Sequence, residues 1–220
     1  MILFMSDLLD AALVAELRRW LDGARFADGR ATAGRDARLV KHNEQVGRDD
    51  ADGAAMGERV SEALWRNRLF AAAARPRTIR APVFSRYVPG MEYGTHMDDA
   101  LMGGMRTDLS LTVFLSDPES YDGGELVIES SAGEQEVKLP AGSGVLYPTG
   151  ALHRVAPVTR GERLAAVTWV RSLVRDPGAR EILFDLENAR HLLKERLGQT
   201  PEMLLLSKVQ GNLLRRWVED

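Results

Sequence analysis

The sequence predicts a mainly β fold with helices at both ends, and three observations carry that prediction. Between Pro82 and Arg171, short runs rich in β-branched and aromatic residues are punctuated by PG, GG, DGG, AG and RG signals about every ten residues. That spacing belongs to an all-β sandwich or jelly roll. On either side of this block apolar residues recur every three or four positions, the helical period. The length, 220 residues, suits one β-rich domain with helical additions and leaves little room for a second catalytic domain.

Taken in chain order, Ser6 or Asp7 can cap a first amphipathic helix carrying Leu9, Leu13, Leu17, Trp20 and Leu21 and closing near Gly23. The glycine- and charge-rich ADGRATAGRDA leads into LVKHNEQV, and Ala54 to Ala74 reads as helix because Val60, Leu64 and Arg68 repeat at that spacing. Residues 1–80 are therefore expected to be a support region of mixed helix and loop. The candidate strands of the 81–175 core are PVFSRYV, EYGTHMD, DLSLTVFLS, ELVIES, EQEVKL, GVLYP, LHRVAPV and RLAAVTWV. From 176 to 220 the helical period returns with Ile182, Leu183, Leu186, Leu192, Leu193 and Leu197, followed by a last segment from Pro201 to Val218. This extension is expected to pack on the core, either covering the mouth of a site or offering a homodimer face.

Composition narrows the function. Lys plus Arg number 29 against 32 Asp plus Glu, a net charge of -3, so the electrostatic footprint of a general nucleic-acid binder is missing. The chain contains no cysteine, which removes disulfides, iron-sulfur clusters, thiolate zinc sites and cysteine nucleophiles. Any metal must use nitrogen or oxygen ligands. The apolar start from Met1 to Met5 is too short for a signal peptide, and no run approaches the roughly 18 apolar residues of a membrane span. The expectation is a cytoplasmic protein without a membrane or nucleic-acid partner.

Four histidines occur, at 42, 96, 153 and 191. His96 and Asp98 are two apart in a predicted strand, and the two-residue side-chain period sends both to one face. A third ligand would complete a facial triad of two histidines and one carboxylate, the arrangement that leaves positions open on ferrous iron. His153, in LHRVAPV, is the natural supplier. Ten residues further on, Arg163 opens an otherwise apolar strand, and an arginine entering a barrel interior needs an anion. His191 lies among charged residues on the last helical stretch and reads as surface. His42, with Lys41, Asn43 and Gln45, is either part of a substrate cleft or a hydrogen-bonded loop.

With those residues in view, the stretch from Tyr87 to Trp169 resembles the ferrous iron and 2-oxoglutarate-dependent dioxygenases of the prolyl hydroxylase type. More closely, DGRATAG, VKHNEQ, HMDDALMGG, TDLSLTVFLSDPESYDGGELVIE, VKLPAGSGVLYP, LHRVAPVTRGER and VRDPGAREILFDL look like the bacterial, iron-uptake-associated PKHD-type hydroxylases. The likeness covers nearly the whole chain. It implies a double-stranded β-helix, or jelly roll, with N-terminal helices and a C-terminal helical cap. It makes His96, Asp98 and His153 the iron ligands and Arg163 the binder of the distal carboxylate of 2-oxoglutarate, in keeping with the fit of a guanidinium fork to a carboxylate.

The same resemblance gives supporting positions. Tyr87 matches a strand tyrosine that reaches the cosubstrate and reads equally well as core, and Tyr93 either lines the pocket or packs. Trp169, six residues after Arg163, faces the same side by strand parity. Ser110, Thr112 and Phe114 share one strand face, and a hydroxyl there can help Arg163 hold the carboxylate; Phe114 stands where many prolyl hydroxylases have a tyrosine. Asp99 is expected to be a solvated carboxylate, with Asp122, Gly123 and Gly124 forming a turn. The implied activity is hydroxylation of a small-molecule or peptide substrate by O2, with 2-oxoglutarate decarboxylated to succinate and CO2 and L-ascorbate keeping the iron reduced. The competing readings are a non-catalytic jelly-roll module sensing iron or 2-oxoglutarate, and a zinc hydrolase using the same three ligands, which leaves Arg163 unexplained.

Overall fold

The computed structural model describes residues 1–47 and 49–219. The first third alternates short strands with helices: β1 (Leu3–Met5), α1 (Ala11–Gly23), β2 (Phe26–Asp28), β3 (Lys41–His42), β4 (Glu44–Val46), α2 (Ala51–Arg66), α3 (Arg68–Ala74) and β5 (Pro76–Ile79). The expectation of helix and loop alone is thereby corrected. Strands of two to four residues carry too few side chains to display a two-residue period, and their partners lie far off in sequence. The first cap also differs from expectation: Asp10, not Ser6 or Asp7, accepts from the Leu13 N–H at 2.7 Å. The predicted single helix of 54–74 is two, because Asn67 ends α2 and its side chain accepts from Phe70 N–H to start α3.

The central block comprises β6 (Val83–Tyr87), β7 (Glu92–His96), β8 (Leu101–Met102), β9 (Met105–Arg106), β10 (Leu109–Phe114), β11 (Asp122–Gly123), β12 (Leu126–Ser130), β13 (Gly133–Val137), β14 (Gly144–Pro148), β15 (His153–Val155), β16 (Val158–Arg160) and β17 (Arg163–Ser172). The larger, eight-stranded sheet runs β1-β14-β10-β17-β6-β4-β2, with β5 paired to the far half of β17; the smaller runs β13-β12-β15-β7-β3. LHRVAPV is not one strand. Pro157 has no N–H to give the ladder, so β15 stays in the small sheet while β16 leaves to pair with β11. A further hairpin, β8–β9, turns on Gly103 and Gly104, both at positive φ, the backbone a two-residue hairpin turn requires.

Side-chain alternation sorts the large sheet into two faces. Leu109, Leu111 and Val113 of β10 join Leu164, Ala166 and Val170 of β17 in a core completed by Leu13, Leu17, Val60, Leu64 and Phe70 from the helices. The opposite face, with Phe114, Val145 and Tyr147, meets Leu126, Ile128 and Val155 of the small sheet. Two antiparallel sheets facing each other, one backed by helices, form the jelly roll. Beyond it, α4 (Pro177–Leu197) and α5 (Pro201–Trp217) pair, burying Leu183 with Val174 and packing the half-buried Leu213, Leu214 and Trp217 against them. The backbone ends are tied by Glu219 N–H to Leu173 O at 2.9 Å. No helix is long and apolar enough to cross a membrane among the described residues.

Candidate metal centre and cavity

β7 and β15 are neighbours in the small sheet, in a register that sets His96 opposite His153. Strand parity was the reason for placing Asp98 with His96, yet β7 ends at His96 and Asp98 lies in the following loop. The loop nonetheless brings the carboxylate back to the imidazoles: Asp98 Oδ1 is 4.0 Å from His96 Nε2, and Oδ2 is 3.7 Å from His153 Nε2. One ligand atom from each of the three lies within 4.8 Å of the others, space for a metal ion between them.

Each histidine is held in the same way. His96 Nδ1 is 2.9 Å from Gly94 O, and His153 Nδ1 is 3.0 Å from Ala151 O. A carbonyl only accepts, so Nδ1 carries a proton in both rings and Nε2 is the atom turned to the centre. Burial, and the neighbouring His153, push the His96 imidazole down to about 4, which keeps it neutral at ordinary pH. Tyr93 stacks on His96 at 3.6 Å between ring centroids, and Tyr147 meets His153 edge-on at 5.1 Å. The carboxylate is steadied too, because Ser110 Oγ donates to Asp98 Oδ2 at 2.8 Å. Thr149 Oγ1 lies 3.2 Å from Ser110 Oγ. Two imidazoles and one acid match the donor set of an oxygen-activating iron, with no thiolate that would favour a structural zinc.

The three side chains open into a cavity of about 710 Å³ between the sheets. Arg163, at the start of β17 in the facing sheet, lies on its wall, is only 1% exposed, and has a buried Nε without a hydrogen-bond partner. Its guanidinium sits 5.1 Å from the Tyr87 ring and 5.3 Å from that of Phe114. Among the described residues it forms no ion pair. A buried cation without an anion is costly, and a carboxylate delivered by a ligand would satisfy it. Gly124, at φ 67°, leaves the room it needs: a Cβ there would stand 3.0 Å from Arg163 Cδ and 3.1 Å from Tyr121 Cε2. These residues fit ferrous iron beside a dicarboxylic keto acid.

The other expected positions divide. Tyr87, Tyr93, Thr112 and Trp169 line the cavity. Burial raises the phenols of Tyr87, Tyr93 and Tyr147, so all three stay protonated and able to donate. Ser110, expected to help Arg163 with the keto acid, is fully buried and spends its hydroxyl on Asp98. Phe114 packs by Arg163, and Asp99 is an exposed carboxylate on the cavity rim beside Gly34. His42 is exposed outside the wall, whereas Lys41 and Gln45 line it. They belong to a chain in which Lys41 Nζ donates to Thr32 Oγ1 at 3.0 Å, Thr32 Oγ1 to Gln45 Oε1, and Gln45 Nε2 to Ser85 Oγ at 3.0 Å. His191 sits on α4 with Glu195, 3.2 Å away. Sequence reasoning missed Tyr147 and Arg80 on the wall; for Tyr147 the alternation within GVLYP offered a signal, for Arg80 none did.

Residues 82–171 match the 2OG-Fe(II) oxygenase superfamily, and residues 178–219 match the PKHD-type hydroxylase C-terminal domain. A PKHD-type hydroxylase of Synechococcus elongatus is 52% identical over 223 residues, and one of Maricaulis maris is 50% identical over 220, each alignment covering all of both chains. In fold, the chain is similar to a prolyl-4-hydroxylase of Pseudomonas putida, with a TM-score of 0.54 at 23% identity over 78% of this chain and 92% of the other.

Proposed function

The chain belongs to the PKHD-type hydroxylases of the 2OG-Fe(II) oxygenase superfamily, and from that membership we propose that His96, Asp98 and His153 hold its ferrous iron and Arg163 anchors its 2-oxoglutarate. The protein is a 2-oxoglutarate-dependent iron dioxygenase and a hydroxylase. When bound, the iron supplies the oxygen-activating chemistry that oxidises a C–H bond while 2-oxoglutarate becomes succinate and CO2.

The residues of this chain bind, orient and shield. The carbonyls of Gly94 and Ala151 hold the two imidazoles with Nε2 forward, and Ser110 fixes the carboxylate of Asp98. Arg163 takes the distal carboxylate of the keto acid through its guanidinium fork. Tyr87 and Thr112 stand on the same wall as hydroxyl donors to the cosubstrate, and Trp169 closes the side towards the metal. Leu126 and Val155 from the small sheet and Val167 from the large one make the lining apolar and keep water from the reacting centre. The observation that carries this reading is the facing of the His96–Asp98–His153 cluster by a buried arginine without an anion.

L-ascorbate serves as reductant for the iron, and the protein works in the cytoplasm without a nucleic-acid partner. Residues 1–80 act as support, 81–175 as the catalytic core and 176–220 as an extension packed on it. None of the residues of α4 or α5 lines the cavity, so the extension does not cap the mouth. Its exposed Ile182, Leu192, Leu204 and Leu205 offer a homodimer face, which sedimentation of the intact chain and of Leu204→Glu would test.

The test of the reaction centre is anaerobic addition of ferrous iron and 2-oxoglutarate. A visible charge-transfer band is expected with the intact protein and its loss in His153→Ala and Arg163→Ala. Absence of the band in the intact protein would overturn the assignment.

A further inference from the structure

The cavity wall carries a second arginine that neither the metal nor the keto acid accounts for. Arg80 lies between β5 and β6 along the edge of β17, its N–H donating to Trp169 O at 2.9 Å and its carbonyl accepting from Thr168 Oγ1 at 2.5 Å. The neighbouring register, Ile79 with Val170, makes Arg80 the cross-strand partner of Trp169, and side chains so placed share one face. Both line the cavity. The guanidinium spends Nη1 on Met102 O at 2.9 Å, in the β8–β9 hairpin. No carboxylate pairs with it among the described residues. Beside it the indole N–H of Trp169 is buried without an acceptor. Two neighbouring donors, one of them charged, thus border the chamber with no anion to receive them.

Their position separates them from the cosubstrate anchor. Arg163 and Trp169 stand six residues apart on β17, roughly 20 Å between backbone positions along an extended strand, so they mark opposite ends of the cavity. Ser110, in contrast, pairs directly with Trp169 across β10 and β17 and donates to Asp98. Arg80 is therefore about two strand spacings, roughly 10 Å, from the row that holds the metal ligand. An arginine side chain there reaches a group bound next to the reacting centre.

Charge agrees with geometry. Among the described residues, the charged side chains on the wall, histidines aside, are Lys41, Arg80, Asp98, Asp99 and Arg163. Ferrous iron and Arg163 are matched by Asp98 and the two carboxylates of 2-oxoglutarate. Beside these stand Arg80, Lys41 and Asp99 among the described residues, and low-dielectric walls magnify the pull of Arg80 on an anion.

We propose that Arg80 and the Trp169 indole N–H form an anion subsite, so that the molecule hydroxylated is an organic substrate bearing a carboxylate or phosphate oxyanion. This inference rests on the dioxygenase centre proposed above, and its test keeps the two apart. The holoprotein, with ferrous iron and 2-oxoglutarate, is first checked anaerobically for its charge-transfer band in the intact chain, Arg80→Met and Arg80→Lys. The band is expected in all three, since Arg80 touches neither metal nor keto acid; its absence in the intact chain counts against the centre, not the subsite.

Each protein is then given air and a small-molecule cell extract split by anion exchange into retained and unretained pools, and mass spectrometry follows gains of one oxygen. Oxygenation is expected in the retained pool alone, reduced about 10- to 100-fold in Arg80→Met and partly restored in Arg80→Lys. The elemental formula of the product distinguishes carboxylate from phosphate. Oxygenation in the unretained pool, in neither pool, or undiminished in Arg80→Met overturns the proposal.

Discussion

A carboxylate that ligates a metal through one oxygen leaves the other to be held by the protein, and in the proposed centre Ser110 is the donor to Asp98, at 2.8 Å. Ser110→Ala leaves that oxygen without its donor inside a buried site. Outer-shell losses of this kind cost roughly 10- to 100-fold in metal affinity, and calorimetric titration with Mn2+ would read it directly; unchanged affinity would refute the role. His96 makes a pH prediction of definite sign. Its folded value of about 4 lies below the ordinary 6.5, so between those values the unfolded chain takes up a proton that the folded one refuses. Stability of the metal-free protein is therefore full above pH 6.5 and falls as pH drops towards 4, by about 3 kcal/mol if the whole shift is realised. Urea midpoints in chelator at both ends of that window check it, and His96→Gln should flatten the slope. The four central side chains were legible because histidines are few and an arginine opening an apolar strand is conspicuous. The Ser110 to Asp98 bond was not, since it joins a strand to a loop whose path no spacing rule gives.

At the scale of elements, turns place the anchors. Gly124 follows β11 at positive φ and packs on the stem of Arg163, with Val158 Cγ2 2.9 Å from where a Cβ would lie. Gly124→Ala is expected to cost roughly 1–3 kcal/mol of stability and to raise the KM for 2-oxoglutarate more than it lowers kcat, because the displaced group is the guanidinium. A KM left untouched would show that Arg163 does not hold the cosubstrate. The C-terminal helices are fastened differently. Arg180, buried on α4, donates from Nη1 to Val174 O and Arg175 O, both at 2.8 Å. Arg180→Ala removes both bonds and is expected to lower stability by about 1–3 kcal/mol while leaving the charge-transfer band intact. Helix periodicity announced α4 and α5 within a residue or two, and the end of α1 at Gly23 though not its start. The break at Asn67 was hidden by alanines that suit either side of it, and the departure of β16 at Pro157 was signalled by that proline but not its new partner.

Across the whole molecule, the alternation of β10 and β17 governs what each face does: leucines and valines turn to the helices, while Ser110, Thr112, Arg163 and Trp169 turn to the cavity. That alternation is present in the sequence, and so was the two-sheet architecture it implies. The contribution of β1 to β5 was not, because strands of two to four residues owe their form to neighbours distant along the chain. The cavity's outer wall, built from the Thr32 to Gln45 segment and the β8–β9 hairpin, depends on just those contacts. A crystal structure grown anaerobically with ferrous iron and 2-oxoglutarate tests the central claim most directly. The account predicts the metal on Nε2 of His96, Nε2 of His153 and the carboxylate of Asp98, with the far carboxylate of the keto acid on Arg163. Metal bound elsewhere, or the keto acid's far end on Arg80 with Arg163 left bare, would contradict it.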